Sequence, residues 1–219
     1  MRWFFLTLLA ISLIGISGCG PTDDEDFFKD DTFFENKVAT EITPQEKIDQ
    51  YKQILEIDPQ DFRIRNNLGV VYAQLKLYDE AIKEFNLVLE QEPNYTTALL
   101  NMGSAYGDKG ALDKAIETFQ RAIEIDPAYA KAHQNLGVAY FRNEQYKEAI
   151  TPYEKFVELN NGQADESTFY NLALSYKELQ NKEKTEFYLR KVLEVNPTNE
   201  LAKSGLQNID AFMQDKTAE

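Results

Sequence analysis

The chain repeats itself. Leu68, Met102, Leu136 and Leu172 head four matching stretches, "LGVVY", "MGSAY", "LGVAY" and "LALSY", spaced by 34, 34 and 36 residues. A period of this length is the mark of a stacked array. One repeat is a supersecondary unit too small to bury its own apolar face, so neighbours must supply the cover. Within each unit the apolar residues recur at helical spacing, and a second apolar stripe follows after a short polar turn.

Small and large residues alternate in register. Gly69, Gly103, Gly137 and Ala173 follow the lead residue, and Tyr72, Tyr106, Tyr140 and Tyr176 come three positions later. Ala81, Ala115 and Ala149 lie in the second helix, with Phe85, Phe119 and Tyr153 one turn on. Pro93, Pro127 and Pro197 close their units. On these residues the chain resembles the tetratricopeptide repeat family. That resemblance implies an all-α chain, a right-handed α-solenoid of helix-turn-helix units, at 62–95, 96–129, 130–163 and 166–199. Thr43-Pro44-Gln45-Glu46 reads as a capping box with proline at the first helical position, opening an N-terminal capping helix in segment 43–61. Segment 200–219 offers Leu201, Leu206, Ile209 and Phe212 as the inner face of a C-terminal capping helix. Repeat 3 lacks a closing proline and is two residues longer. Repeat 4 carries Thr185 in place of alanine and reads as the loosest unit.

The N-terminus is of another kind. Arg2 precedes an apolar run from Trp3 to Ile16, shorter than the ~20 residues that span a bilayer, and small residues follow. This is the layout of a secretory signal. Ile16-Ser17-Gly18-Cys19 is similar to the lipobox of bacterial lipoproteins, which implies a signal peptide at 1–18 and acylation of Cys19. Several acyl chains on one residue meet the requirement for stable membrane attachment. The resemblance implies a membrane lipoprotein, and Gly20 after the cysteine points to the outer membrane, facing the periplasm. Residues 19–42 then form a lipidated acidic tether. Between 20 and 42 there are eight acids, two lysines and the pairs Phe27-Phe28 and Phe33-Phe34. The Phe pairs are open to several roles: plain spacer, fold-back onto the repeats, or docking motif.

Composition narrows the chemistry. With 37 acidic against 23 basic residues the formal charge is −14, which argues against nucleic acid as a partner, since phosphate binding needs clustered Lys and Arg. One His and one Cys leave no His/Cys metal cluster and no disulfide framework. Cys19 is committed to lipid, His133 falls at a helix-packing position, and no Gly-Lys-Ser/Thr follows the glycines near 107. No cofactor and no catalytic activity are expected.

In the family resembled, the first helices line a concave groove. Projected onto this chain, the groove includes Asn67, Asn101, Asn135 and Asn171, each just before the lead residue. An asparagine carries a donor and an acceptor and can pair with an extended peptide backbone; it can equally bond a neighbouring helix or water. Lys131, Phe141, Arg142 and Tyr170 are projected beside the row. The charged groove positions are Arg63, Lys131, Arg142, Lys177, Asp108 and Glu178, a net positive face. The carboxylate clamp for chaperone tails is not reproduced: Asn101 and Lys131 match it, but Asn66, Val70 and Asn135 stand where Lys, Asn and Arg are needed. Together these features imply a membrane-anchored scaffold that binds a protein or peptide in the groove, touching the membrane only through its lipid. A structural lipoprotein that self-associates into a homo-oligomer, without a separate client, is the alternative.

Overall fold

The structure is a computed structural model and describes residues 42–214; Cys19 and the two Phe pairs lie outside them. Among the described residues eleven helices follow one another: α1 (Pro44–Ile57), α2 (Phe62–Gln74), α3 (Tyr78–Gln91), α4 (Thr96–Lys109), α5 (Leu112–Ile125), α6 (Ala130–Arg142), α7 (Tyr146–Leu159), α8 (Glu166–Glu178), α9 (Lys182–Val195), α10 (Glu200–Gln207) and α11 (Ile209–Gln214). Each repeat is a hairpin, α2–α3, α4–α5, α6–α7 and α8–α9. The second helix of each packs on the first helix of the next, and the first helices also touch one another in series. The result is an α-solenoid.

Local chemistry explains the helix ends. Thr43 accepts from the Glu46 backbone N–H, and the Glu46 carboxylate takes the Thr43 N–H at 2.8 Å, closing the predicted capping box with Pro44 at the first helical position. Between units, Asp58, Asp126 and Asn196 precede a proline, and each side chain accepts from the backbone N–H two residues on. The proline cannot continue the helix, and the Asx side chain holds the turn that follows. Inside each hairpin one residue takes the left-handed conformation: Lys76, Gly110, Glu144 and Gln180, with φ between 55° and 87°. The next N–H then reaches back to the carbonyl of Tyr72, Tyr106, Tyr140 or Tyr176 at 2.9 Å, which satisfies a carbonyl the helix end leaves open.

The core runs through the stack. Ala81, Phe85, Leu99 and Ala98 are fully buried at the first junction; Ala115, Phe119 and Leu136 carry it onward, and Tyr153, Leu172, Ala173 and Leu189 close it at the far end. Thr185 is fully buried and its hydroxyl donates to the Asn181 carbonyl at 2.8 Å. The longer junction after α7 turns on Asn161 and Gly162, both left-handed, and Asp165 caps α8 through the Thr168 N–H at 2.8 Å.

The C-terminal segment departs from the sequence expectation. Instead of one capping helix there are two, broken at Asn208, whose side chain accepts from Ala211 N–H. Leu201 points outward and is 61% exposed. Ala202, Gly205 and Met213 are buried, with Leu206, Ile209 and Phe212 partly buried beside α9. The break turns α11 so that Phe212 and Met213, rather than Leu201, meet the core.

Candidate peptide-binding face

The first helices α2, α4, α6 and α8 lie side by side, which places the four asparagines on successive rungs. Their environments differ. Asn67 is exposed. Asn101 Nδ2 donates to Asn66 Oδ1 at 3.1 Å, and Asn66 itself is buried. Asn135 Nδ2 donates to Ser104 Oγ at 3.3 Å, and that hydroxyl donates to the Leu100 carbonyl. Asn171 Nδ2 donates to the hydroxyl of fully buried Tyr153 at 3.0 Å. Three amide N–H groups are thus turned onto the preceding repeat. Each of the three carbonyl oxygens stays without a protein donor among the described residues. Each amide also keeps its second N–H, so the row still offers an acceptor and a donor at each position.

Between α4 and α6 the face opens into a cleft of about 230 Å³. Its walls include Asp108, Asn135 and Arg142, all projected as groove positions; Ser104, Val138, Gly103, Gly107, Ala139 and the Phe119 ring form the rest. Gly107 has no side chain to fill the space, and a Cβ there would meet Arg142 Nη1 at 3.7 Å. Asp108 and Arg142 form no ion pair among the described residues. The cleft therefore presents an open carbonyl, a guanidinium and a carboxylate within one small concavity.

Other projected residues play other parts. Lys131 is exposed and donates to Gln134 Oε1 at 2.8 Å. Gln134 is buried and donates to Thr168 Oγ1 at 3.0 Å and to Asp165, tying repeat 3 to repeat 4. Phe141 is half-buried with its ring edge-on to Tyr146, centroids 5.2 Å apart. Tyr170 is half-buried, and burial raises the pKa of its phenol. Lys177, projected as an open groove cation, is buried under Phe212. His133 is buried and its Nε2 meets the Pro127 carbonyl at 3.0 Å, the packing role its position predicts. Sequence reasoning missed one polar centre. Glu154 of α7 accepts from Tyr176 at 2.8 Å and from Tyr188 at 3.0 Å, their rings stacked 5.7 Å apart. Burial first, then the adjacent carboxylate, pushes both phenols well above their ordinary range. A polar pair one period apart, Glu154 with Tyr188, was the available signal. Among the described residues no group of three or more His, Cys, Asp or Glu side chains could hold a metal, and no helix is long and apolar enough to cross a membrane.

Hairpins stacked in one register, with a cleft on the face of the first helices, define a helical-repeat scaffold for protein–protein interaction. Family profiles described as "Tetratricopeptide repeat" match residues 48–102, 130–163 and 166–199, and one described as "TPR repeat" matches 103–144. The chain belongs to the tetratricopeptide repeat family. Among solved structures it is similar to MamA, at 26% identity over 70% of this chain and 90% of that one, with a TM-score of 0.64. YrrB, described as a TPR protein with an unusual peptide-binding site, matches at 22% identity over 75% and 84%, TM-score 0.63. A tetratricopeptide repeat protein from Parabacteroides merdae matches at 19% identity over 78% and 67%, TM-score 0.65. No curated protein sequence matches the chain.

Proposed function

We propose that the chain is a lipid-anchored adaptor of the bacterial cell envelope that holds an extended segment of a partner protein in the α4–α6 cleft. The observation that carries the binding site is the cleft itself, where the Asn135 carbonyl, Asp108 and Arg142 are all without a protein partner among the described residues. A backbone N–H of the partner would donate to the Asn135 carbonyl, and Arg142 would take a carbonyl or carboxylate. YrrB, of the same fold, is described as having a peptide-binding site, which supports the use of this architecture for a peptide. The anchor rests on the residues up to Cys19. Localisation to the outer membrane, facing the periplasm, is part of the same proposal.

Two experiments test it. Co-purification from envelope extract should recover a partner with the unaltered chain, and Asn135→Ala with Arg142→Ala should lose it while melting stays unchanged. Each site should contribute about 1–2 kcal/mol, the value of a hydrogen bond whose other half is stranded. Equal recovery by the double variant would place the partner elsewhere. Separately, Cys19→Ser should move the protein from the membrane to the soluble fraction; retention after a high-salt wash would remove the lipid anchor from the proposal.

Self-association is the second reading. It draws on the two ends of the array, where Ile57 is 87% and Leu201 61% exposed. Light scattering on the chain without its signal separates them, because a structural role requires a defined oligomer.

A further inference from the structure

Lys177 stands in α8 where Gly107 stands in α4, and Gly107 lines the central cleft. Its register therefore puts Lys177 on the ligand side of the first helices. There it is covered. Lys177 is 4% exposed, its Nζ is 4.8 Å from the centroid of the Phe212 ring, and the amine forms no ion pair or hydrogen bond among the described residues. Restricting an ammonium's access to water without a counter-charge is costly, and the face of one ring returns only part of that cost.

The cover is weakly held. Phe212 belongs to α11, six residues long and hinged at the break after α10. Beyond the partly buried contacts of Ile209 and Phe212 and the buried Met213, α11 is tied by the Lys182–Asp210 bridge of 2.6 Å, whose side chains are 46% and 79% exposed. An exposed pair of this kind holds little. We propose that α11 is a removable cover on a further binding position of this face, where Lys177 takes a carboxylate of an acidic peptide once the Phe212 ring withdraws. The occupant follows from charge: the uncovered position offers one ammonium that forms no ion pair among the described residues, and a carboxylate supplies that counter-charge. The covered form competes with the ligand, so apparent affinity scales with the open fraction. This position lies in repeat 4 and does not depend on the α4–α6 cleft.

The test uses the full chain and a fluorescent, acetylated penta-glutamate peptide, with penta-glutamine as the uncharged control, read by anisotropy. Phe212→Ala should bind penta-glutamate on the order of tenfold more tightly than the unaltered chain, the gain expected when a mostly closed position is opened. Adding Lys177→Met should abolish the gain, Lys177→Arg should keep it, and Lys203→Met, equal in charge and half-exposed on α10, should leave it intact. Penta-glutamine should bind none of them. Asp210→Ala loosens α11 without touching its buried face and should shift affinity the same way by about two- to threefold, so the test stands even if Phe212→Ala lowers the melting point. Equal affinity in the unaltered chain and both cover variants, or a gain that survives Lys177→Met, overturns the proposal.

Discussion

Gly103 lies so close to Phe119 that a Cβ on it would stand 2.5 Å from the ring's Cε1. Gly69 has the same relation to Phe85 and Gly137 to Tyr153, each at 2.6 Å. In repeat 4 both partners change together: Ala173 takes the glycine's place, Leu189 the ring's, and both are fully buried. Gly103→Ala should therefore destabilise. Overpacking costs about 1–3 kcal/mol, more than the roughly 1 kcal/mol that alanine gains over glycine inside a helix. Adding Phe119→Leu recreates the pair of repeat 4 and should recover part of the loss. Urea denaturation of the two single variants and the double variant measures this; strictly additive losses would show that the two residues do not constrain each other.

What the sequence made legible is what repeats. The lead residues, the Gly–ring pairs and the Asx-Pro turns recur at one period because each junction is packed the same way, and the Thr43 capping box needs only four adjacent residues. Polar partnerships were less legible. Asn101, Asn135 and Asn171 look alike in sequence, but their partners lie 35, 31 and 18 residues away and are of three types, Asn66, Ser104 and Tyr153. The C-terminal cap was misread for a related reason. Leu201, Leu206, Ile209 and Phe212 fit a single helix by spacing, whereas the helix breaks at Asn208, Leu201 lies in solvent on α10 and Phe212 of α11 sits over Lys177.

Ser175 replaces the Val71, Ala105 and Ala139 of the other repeats, and its Oγ is buried without a hydrogen-bond partner. A hydroxyl removed from water without compensation costs about 1–3 kcal/mol. Ser175→Ala should accordingly raise stability by on the order of 1 kcal/mol and raise the thermal midpoint. A lowered midpoint would mean the hydroxyl is bonded in solution.

Asp165 links pH to the junction of repeats 3 and 4. Burial alone would raise its pKa, but hydrogen bonds from Ser167, Thr168 and Gln134 outweigh it and hold the carboxyl below its ordinary value. A lowered folded pKa stabilises above the unfolded value, near 4, and that contribution is lost as pH falls through the folded value. Asp165→Asn should therefore melt below the unaltered chain at neutral pH. The gap should narrow as pH drops below about 4 and vanish in stronger acid. A gap independent of pH would show that the charge is not what Asp165 contributes.

Asn171 and Asn135 hold equivalent places and should behave oppositely. Tyr153 is fully buried, burial pushes its phenol well above the ordinary range, and the Asn171 amide is the donor that meets its oxygen. Asn171→Ala strands that hydroxyl in the core and should cost about 1–3 kcal/mol of stability. Tyr153→Phe removes the hydroxyl instead and leaves the half-exposed amide to water, so it should cost less. Once Tyr153 is Phe, Asn171→Ala should add little, because nothing buried is left unpaired. Asn101→Ala should also lower stability, since Asn66 behind it is buried. Asn135 bonds only the half-buried Ser104, at the longer distance of 3.3 Å. Asn135→Ala should leave melting nearly unchanged while weakening partner binding. If Asn171→Ala and Asn135→Ala shift the midpoint equally, the row does not divide into a folding member and a binding member.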